Sequence, residues 1–176
     1  MSYTKSTVEK YTIHPEEDQC RCLWAICVLD DETWTFFATS DCGNYSYRWC
    51  IENQRSFKQF LTQLDRSYFL SKISDESEVD EEESIKRMKE YCIEDYREGS
   101  ITKQEAREQF DKIKNIEAGY LDDDFEHVVY NELGWDYLDL IVKCYPNSAI
   151  TFYEVVFKEL QKILKDEIKE NTNGWK

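Results

Sequence analysis

Between Thr7 and about Cys50, apolar residues recur with the two-residue period of strands. Val8 to Ile13 reads as an edge strand stopped by Pro15. Cys22 to Leu29 is apolar on both alternating sets, Cys22, Trp24, Ile26 and Val28 on one and Leu23, Ala25, Cys27 and Leu29 on the other. That pattern predicts a central strand covered on both faces. Asp30-Asp31-Glu32 supplies a turn, after which Trp34, Phe36 and Ala38 alternate with Thr33, Thr35, Phe37 and Thr39 in an antiparallel return strand. Ser40 to Asn44 is a second turn, in which Gly43 and Asn44 can take positive φ. Tyr45, Tyr47 and Trp49 then alternate with Asn44, Ser46 and Arg48, completing a meander.

Beyond Cys50 the period lengthens to about 3.6. Phe57, Phe60, Leu61 and Leu64 form one stripe on a helix that Ser56 or Asn53 can cap, and a short helix from Asp65 to Ile73 follows. Asp75 to Glu83 holds seven acids in nine positions, either an acidic loop or the solvated start of the next helix. Ile85, Met88, Cys92 and Tyr96 line that helix, which stops at Gly99. Thr102-Lys103-Gln104-Glu105 is a capping box for a helix through Glu117, and Asp122, Asp123 and Asp124 precede another. Trp135 to Tyr145 fits helix or strand, with helix preferred. Thr151-Phe152-Tyr153-Glu154 reads as a second capping box, with Ile150 and Val155 as a hydrophobic staple, opening a last helix to about Lys169. The fold expected is α+β: an N-terminal antiparallel sheet of three to four strands, followed by and packed against a mostly helical C-terminal two-thirds. One domain over residues 1–170 and a frayed tail over 171–176 are expected.

Composition narrows the function classes. The 176 residues include 37 Asp and Glu against 22 Lys and Arg, a formal net charge of −15. Such a chain lacks the cationic surplus that neutralises phosphates, so direct nucleic-acid binding is not expected. No window approaches the roughly 20 apolar residues that span a bilayer, and MSYTKSTVEK has no apolar stretch behind its basic residues, so neither a membrane nor a secretory signal is expected. The expected address is cytoplasmic.

Recognisable catalytic motifs are absent. The five glycines cannot be arranged as G-x-x-x-x-G-K-S/T or G-x-G-x-x-G, and no G-x-S-x-G elbow occurs. Seven cysteines without a C-x-x-C pair fit reduced thiols rather than a disulfide framework, and with only His14 and His127 as imidazoles the paired-knuckle zinc spacing is missing. Asp122, Asp124, Glu126 and His127 fail the calcium-loop pattern, since His127 stands where a Gly is needed. Neither a metal, a cofactor nor a catalytic residue is therefore expected.

The densest unusual stretch is Ser40 to Trp49. It is either a structural turn and strand, with Asp41 and Asn44 bonding locally and Arg48 paired to an acid, or a recognition edge rich in Tyr, Trp and Arg. Ser40, Asp41, Gly43, Asn44, Tyr45, Tyr47 and Trp49, continued by Phe57, Lys58, Phe60, Leu61, Leu64, Tyr68 and Lys72, resemble a widespread group of phage and prophage proteins. That group shares a S-D-[YF]-G-N-[YW]-x-Y-x-W core, an F-K-x-F-L helix and an L-x-x-x-Y-x-x-x-K continuation. Cys42 departs from it where an aromatic is usual, and Cys50 where Gly is common. The resemblance implies a mobile-element accessory protein and transfers no catalytic residue.

The expected function is a non-enzymatic phage accessory protein that binds and inhibits or modulates a basic bacterial protein, such as a nuclease or another nucleic-acid-handling defence factor. Asp75, Glu76, Glu78, Asp80, Glu81, Glu82 and Glu83, with Asp122, Asp123 and Asp124, are the candidate mimics of a nucleic-acid surface; Asp41, Asn44 and Arg48 are candidate contacts on the turn and strand. The alternatives are a small-molecule pocket or enzyme using acidic residues, and a scaffold that forms a homodimer through the last helix.

Overall fold

The computed structural model describes residues 3, 5–14, 22–50, 56–119 and 125–173. In chain order the elements are β1 (Glu9–Ile13), β2 (Ala25–Asp30), β3 (Thr35–Ser40), β4 (Gly43–Arg48), α1 (Phe57–Leu61), α2 (Arg66–Ile73), β5 (Glu78–Val79), α3 (Glu81–Glu98), α4 (Lys103–Gly119) and α5 (Phe125–Leu133). A 3₁₀ segment (Trp135–Leu140), β6 (Lys143–Cys144), α6 (Asn147–Thr151), a π-helical segment (Phe152–Phe157) and α7 (Lys158–Asn173) complete the chain. This is an α+β protein with its four-stranded antiparallel sheet at the N-terminus and mostly helix thereafter. Two compact units divide it: residues 1–75 with 145–176, and residues 76–144.

The first unit is built on the sheet, whose order β1-β2-β3-β4 is the expected meander with an added edge strand. Ala25, Cys27 and Leu29 lie opposite Ser40, Ala38 and Phe36, so one alternating set of each strand is buried together. Phe36 meets Phe69 of α2 and Phe152 and Phe157 of the π-helical segment, with ring centroids 5.8, 6.4 and 5.9 Å away. All four rings are fully buried, and truncating one to Ala would cost about 3–5 kcal/mol. Gln161 is the polar member of this layer. Its side-chain amide donates to the carbonyls of Leu61 (2.9 Å) and Leu64 (3.0 Å), satisfying acceptors that the short α1 leaves over.

The second unit is a helical assembly. Asp80 caps α3 by accepting the Glu83 N–H at 3.0 Å, and Gly99 ends it at φ +78°, the left-handed conformation a glycine adopts without a Cβ clash. The capping box opens α4 as read: Thr102 Oγ1 accepts the Glu105 N–H, and Glu105 accepts the Thr102 N–H at 2.7 Å. Ile85, Met88 and Cys92 of α3 bury against Ile113 and Ile116 of α4, Val128 and Val129 of α5, and Tyr137. Glu78 and Val79 pair antiparallel with Cys144 and Lys143, and the buried Ser84 hydroxyl accepts the Val142 N–H at 2.9 Å.

Several expectations are corrected. Cys22 to Leu29 is not fully covered on both faces: Ile26 and Val28 are half-buried, and Leu23 is 63% exposed. Trp34 belongs to the turn, at φ +54°, rather than to β3, and only Gly43 of the second turn takes positive φ. Trp135 to Tyr145 divides between a 3₁₀ segment and the two-residue β6. Thr151 is no cap. Its φ and ψ are helical, its side chain caps nothing, and the helix starts at Asn147, immediately after Pro146, whose fixed φ suits an entry. Glu154, the supposed partner of the box, is instead paired with Lys158 and Arg66. The chain stays helical to Asn173, beyond the expected fraying point at 171; residues 174–176 lie outside the described residues, as do Pro15 and Asn53.

Candidate functional site

Sequence and unit boundaries together show where the charge resides. Residues 76–144 contain 21 Asp and Glu against 9 Lys and Arg, a net −12, whereas the remainder contains 16 against 13, a net −3. The surplus is therefore a property of one unit rather than of the whole surface.

Within that unit the candidate acids gather at the start of α3. Glu76, Glu78, Glu81 and Glu82 are exposed, and Asp80 and Glu83 half-buried. The unpaired N–H groups of a helix N-terminus favour this concentration, and Glu81, Glu82 and Glu83 all fall in the first turn. Local structure already uses part of the set: Asp80 is the cap, and Glu83 pairs with Lys86 at 3.0 Å. Glu90, Glu94 and Glu98, also exposed, continue along the same helix at i, i+4 and i+8. Like charges at that spacing repel by a few tenths of a kcal/mol per pair, which Lys86, four residues before Glu90, and Arg97, three after Glu94, offset only in part. Among the described residues, none of Glu81, Glu82, Glu90, Glu94 and Glu98 forms an ion pair. Asp75 is exposed at the end of the first unit, and Asp122, Asp123 and Asp124 lie outside the described residues.

The acids of the last helix differ. Asp166 pairs with Lys169 at 2.9 Å, and Glu167 with Lys58 at 2.7 Å, so much of their charge is met locally.

Asp41, Asn44 and Arg48 belong to the first unit, on the β3–β4 hairpin. Asp41 and Cys42 form its two-residue loop, because Ser40 pairs directly with Gly43. Gly43 stands at φ +131°, and a Cβ there would come within 3.0 Å of the Tyr45 hydroxyl. Asn44 accepts the Thr39 hydroxyl at 2.6 Å. Arg48 is exposed and lends its charge to Asp30, whose carboxyl is held low chiefly by the Thr33 hydroxyl. Tyr45 and Trp49 are buried, with Tyr45 4.4 Å from Phe152, so the aromatic half of this stretch packs the core.

One constellation was not legible in the sequence. Asp41 Oδ2 accepts the Leu23 N–H at 2.8 Å, while Oδ1 faces the Cys22 thiol at 3.2 Å. Cys42 completes the group: the three ligand atoms of Cys22, Asp41 and Cys42 lie within 4.8 Å of one another. The Leu23 N–H keeps the Asp41 carboxyl below its ordinary range, and burial pushes the Cys22 thiol up. Only the antiparallel register brings Cys22 beside the loop, and the departure at Cys42 is the one trace of it in the sequence.

Among the described residues, no helix is long and apolar enough to cross a membrane. Neither a curated protein nor a solved structure matches the chain. A model described as a phage family, Phage_phiTE_072, matches residues 1–166, in line with the expected phage relationship. With nearly its whole length matched, the chain belongs to this phage protein family.

Proposed function

We propose that this phage protein is a non-enzymatic accessory factor whose acidic unit, residues 76–144, docks on the nucleic-acid-binding surface of a basic bacterial protein and inhibits or modulates it. The observation that carries the reading is the segregation of charge, −12 in one unit against −3 in the rest. A charge needed only for dispersion in water has no reason to concentrate, whereas a docking surface gains both association rate and selectivity from concentration. The carboxylates of Glu90, Glu94 and Glu98 rise about 6 Å per step along α3. Alternate phosphates of one DNA strand rise about 7 Å, so a phosphate-binding groove can meet the row with little rearrangement. The target belongs to the nucleases and other nucleic-acid-handling defence proteins, because these carry such grooves.

Glu94→Lys tests the reading. The substitution turns the like-charge pairs with Glu90 and Glu98 into opposite-charge pairs and sets one new repulsion against Arg97, so the helix should hold its stability or gain a few tenths of a kcal/mol in a urea melt. Capture of the bacterial partner should nonetheless weaken by about tenfold. Equal or greater stability with unchanged capture would reduce the acidic row to a solvated face.

A further inference from the structure

We propose that Cys22, Asp41 and Cys42 form a binding site for a thiophilic divalent cation of the zinc class. The first observation is proximity: Cys22 Sγ, Cys42 Sγ and a carboxylate oxygen of Asp41 lie within 4.8 Å of one another although the two cysteines are twenty residues apart. Around a tetrahedral zinc, with Zn–S about 2.3 Å and Zn–O about 2.0 Å, two sulfurs stand about 3.8 Å apart and a sulfur and an oxygen about 3.5 Å. The Cys22 Sγ to Asp41 Oδ1 distance is already 3.2 Å, so an ion entering between them asks for small side-chain adjustments.

The surroundings hold the donors in place. Asp41 Oδ2 is fixed by the Leu23 N–H at 2.8 Å, which leaves Oδ1 turned toward the sulfurs, the outer-shell arrangement that orients a ligating carboxylate. The loop carrying Cys42 is fixed as well. Ser40 Oγ accepts the Cys42 N–H at 3.2 Å and donates to the Gly43 carbonyl at 2.9 Å, and the Tyr45 hydroxyl donates to the Cys42 carbonyl at 2.8 Å. Cys22 and Cys42 are buried while Asp41 is exposed, so the carboxylate side gives an ion and a completing water their way in.

Donor chemistry selects the ion. Two thiolates favour zinc, cadmium and cobalt(II) over magnesium and calcium, which need six or more oxygen ligands. Binding breaks two S–H bonds, forms two metal–sulfur bonds and one metal–oxygen bond, and releases both protons to solvent. This site is in the sheet unit and stands apart from the acidic docking reading.

The test is titration of the full-length, metal-free protein with Co²⁺ under a non-chelating phosphine reductant. One equivalent should produce sulfur-to-cobalt charge-transfer absorption in the near ultraviolet, and Zn²⁺ should abolish it by displacement. Cys42→Ser should lower affinity at least about 100-fold, and Asp41→Asn about 10-fold with the sulfur band retained. Cys144→Ser, in the other unit, should change nothing. Cys22 is completely enclosed and Cys42 is 9% exposed, so a serine hydroxyl is better tolerated at Cys42; Cys42→Ser and Asp41→Asn carry the test, each checked for fold by circular dichroism. Absence of the charge-transfer band in the folded wild type, or its survival at full affinity in Cys42→Ser, would overturn the proposal.

Discussion

Asp80 shows how one acidic residue can serve the fold before it serves a surface. Its carboxylate accepts the Glu83 N–H, its backbone N–H donates to the Val142 carbonyl at 2.9 Å, and its carbonyl receives the Ser84 hydroxyl at 2.6 Å. Asp80→Ala should therefore cost about 1 kcal/mol in chemical denaturation, with the midpoint lowered and the slope unchanged. Asp80→Asn, which can still cap, should recover most of it. Glu81→Gln, at an exposed position one residue on, should stay within about 0.5 kcal/mol of the wild type. Lys58 is the corresponding case in the sheet unit, held between Glu9 at 2.5 Å and Glu167 at 2.7 Å, with the Tyr11 hydroxyl on both acids. Burial opposes ionisation of Glu9, but the hydrogen bonds from Lys58 and Tyr11 outweigh it and hold the carboxyl below its usual 4.5. A lowered folded value means that the unfolded chain takes up the proton first. This contribution to stability is full above about pH 4.5 and is lost as pH falls through the folded value. Lys58→Met should flatten that acid limb of a stability-against-pH curve while lowering stability at pH 7 by no more than about 1 kcal/mol, since Glu9 is half exposed. An unchanged acid limb would remove Glu9 from the account.

At the scale of elements, local signals were legible wherever adjacent residues carry the hydrogen bonds. The caps at Ser56 and Thr102 and the stop at Gly99 each depend on groups within a few residues, whereas Asp65, read as the first helical residue, is the cap. Thr151-x-x-Glu154 has the same letters and none of the geometry, because Pro146 had already started the helix and Glu154 was committed to its ion pairs. The π-helical turn from Phe152 to Phe157 escaped for a related reason. Its buried residues Phe152, Tyr153, Val156 and Phe157 continue into Leu160, Gln161 and Leu164 at four-residue steps that an ordinary α-helix face also contains, so the apolar pattern does not distinguish the wider turn. The two-residue β5–β6 ladder is too short to leave a period. The Cys22–Asp41–Cys42 group depends on strand register rather than spacing, so no local pattern announces it. The acidic row on α3 was legible as charge, but its continuation to Glu90, Glu94 and Glu98 required the helix to be followed to its end. Here the Glu94→Lys prediction applies: an element no less stable after the substitution while its binding declines is one whose sequence favours contact over helix stability.

For the molecule as a whole, membership of a phage protein family and the separation of charge between two units are the two facts a function must accommodate. Acidic docking, as proposed, accommodates both: a phage protein that presents carboxylates where phosphates lie would compete for basic nucleic-acid-binding proteins of its host. The decisive measurement is capture from infected-host lysate by two full-length proteins: the wild type, and a variant with Glu76, Glu78, Glu81, Glu82, Glu90, Glu94 and Glu98 all changed to Gln, matched by circular dichroism. The account predicts that the wild type retains a basic protein at low salt, releases it to duplex DNA and to 1 M salt, and that the variant fails to retain it. Equal retention by both proteins, or a captured protein that duplex DNA does not displace, would contradict it.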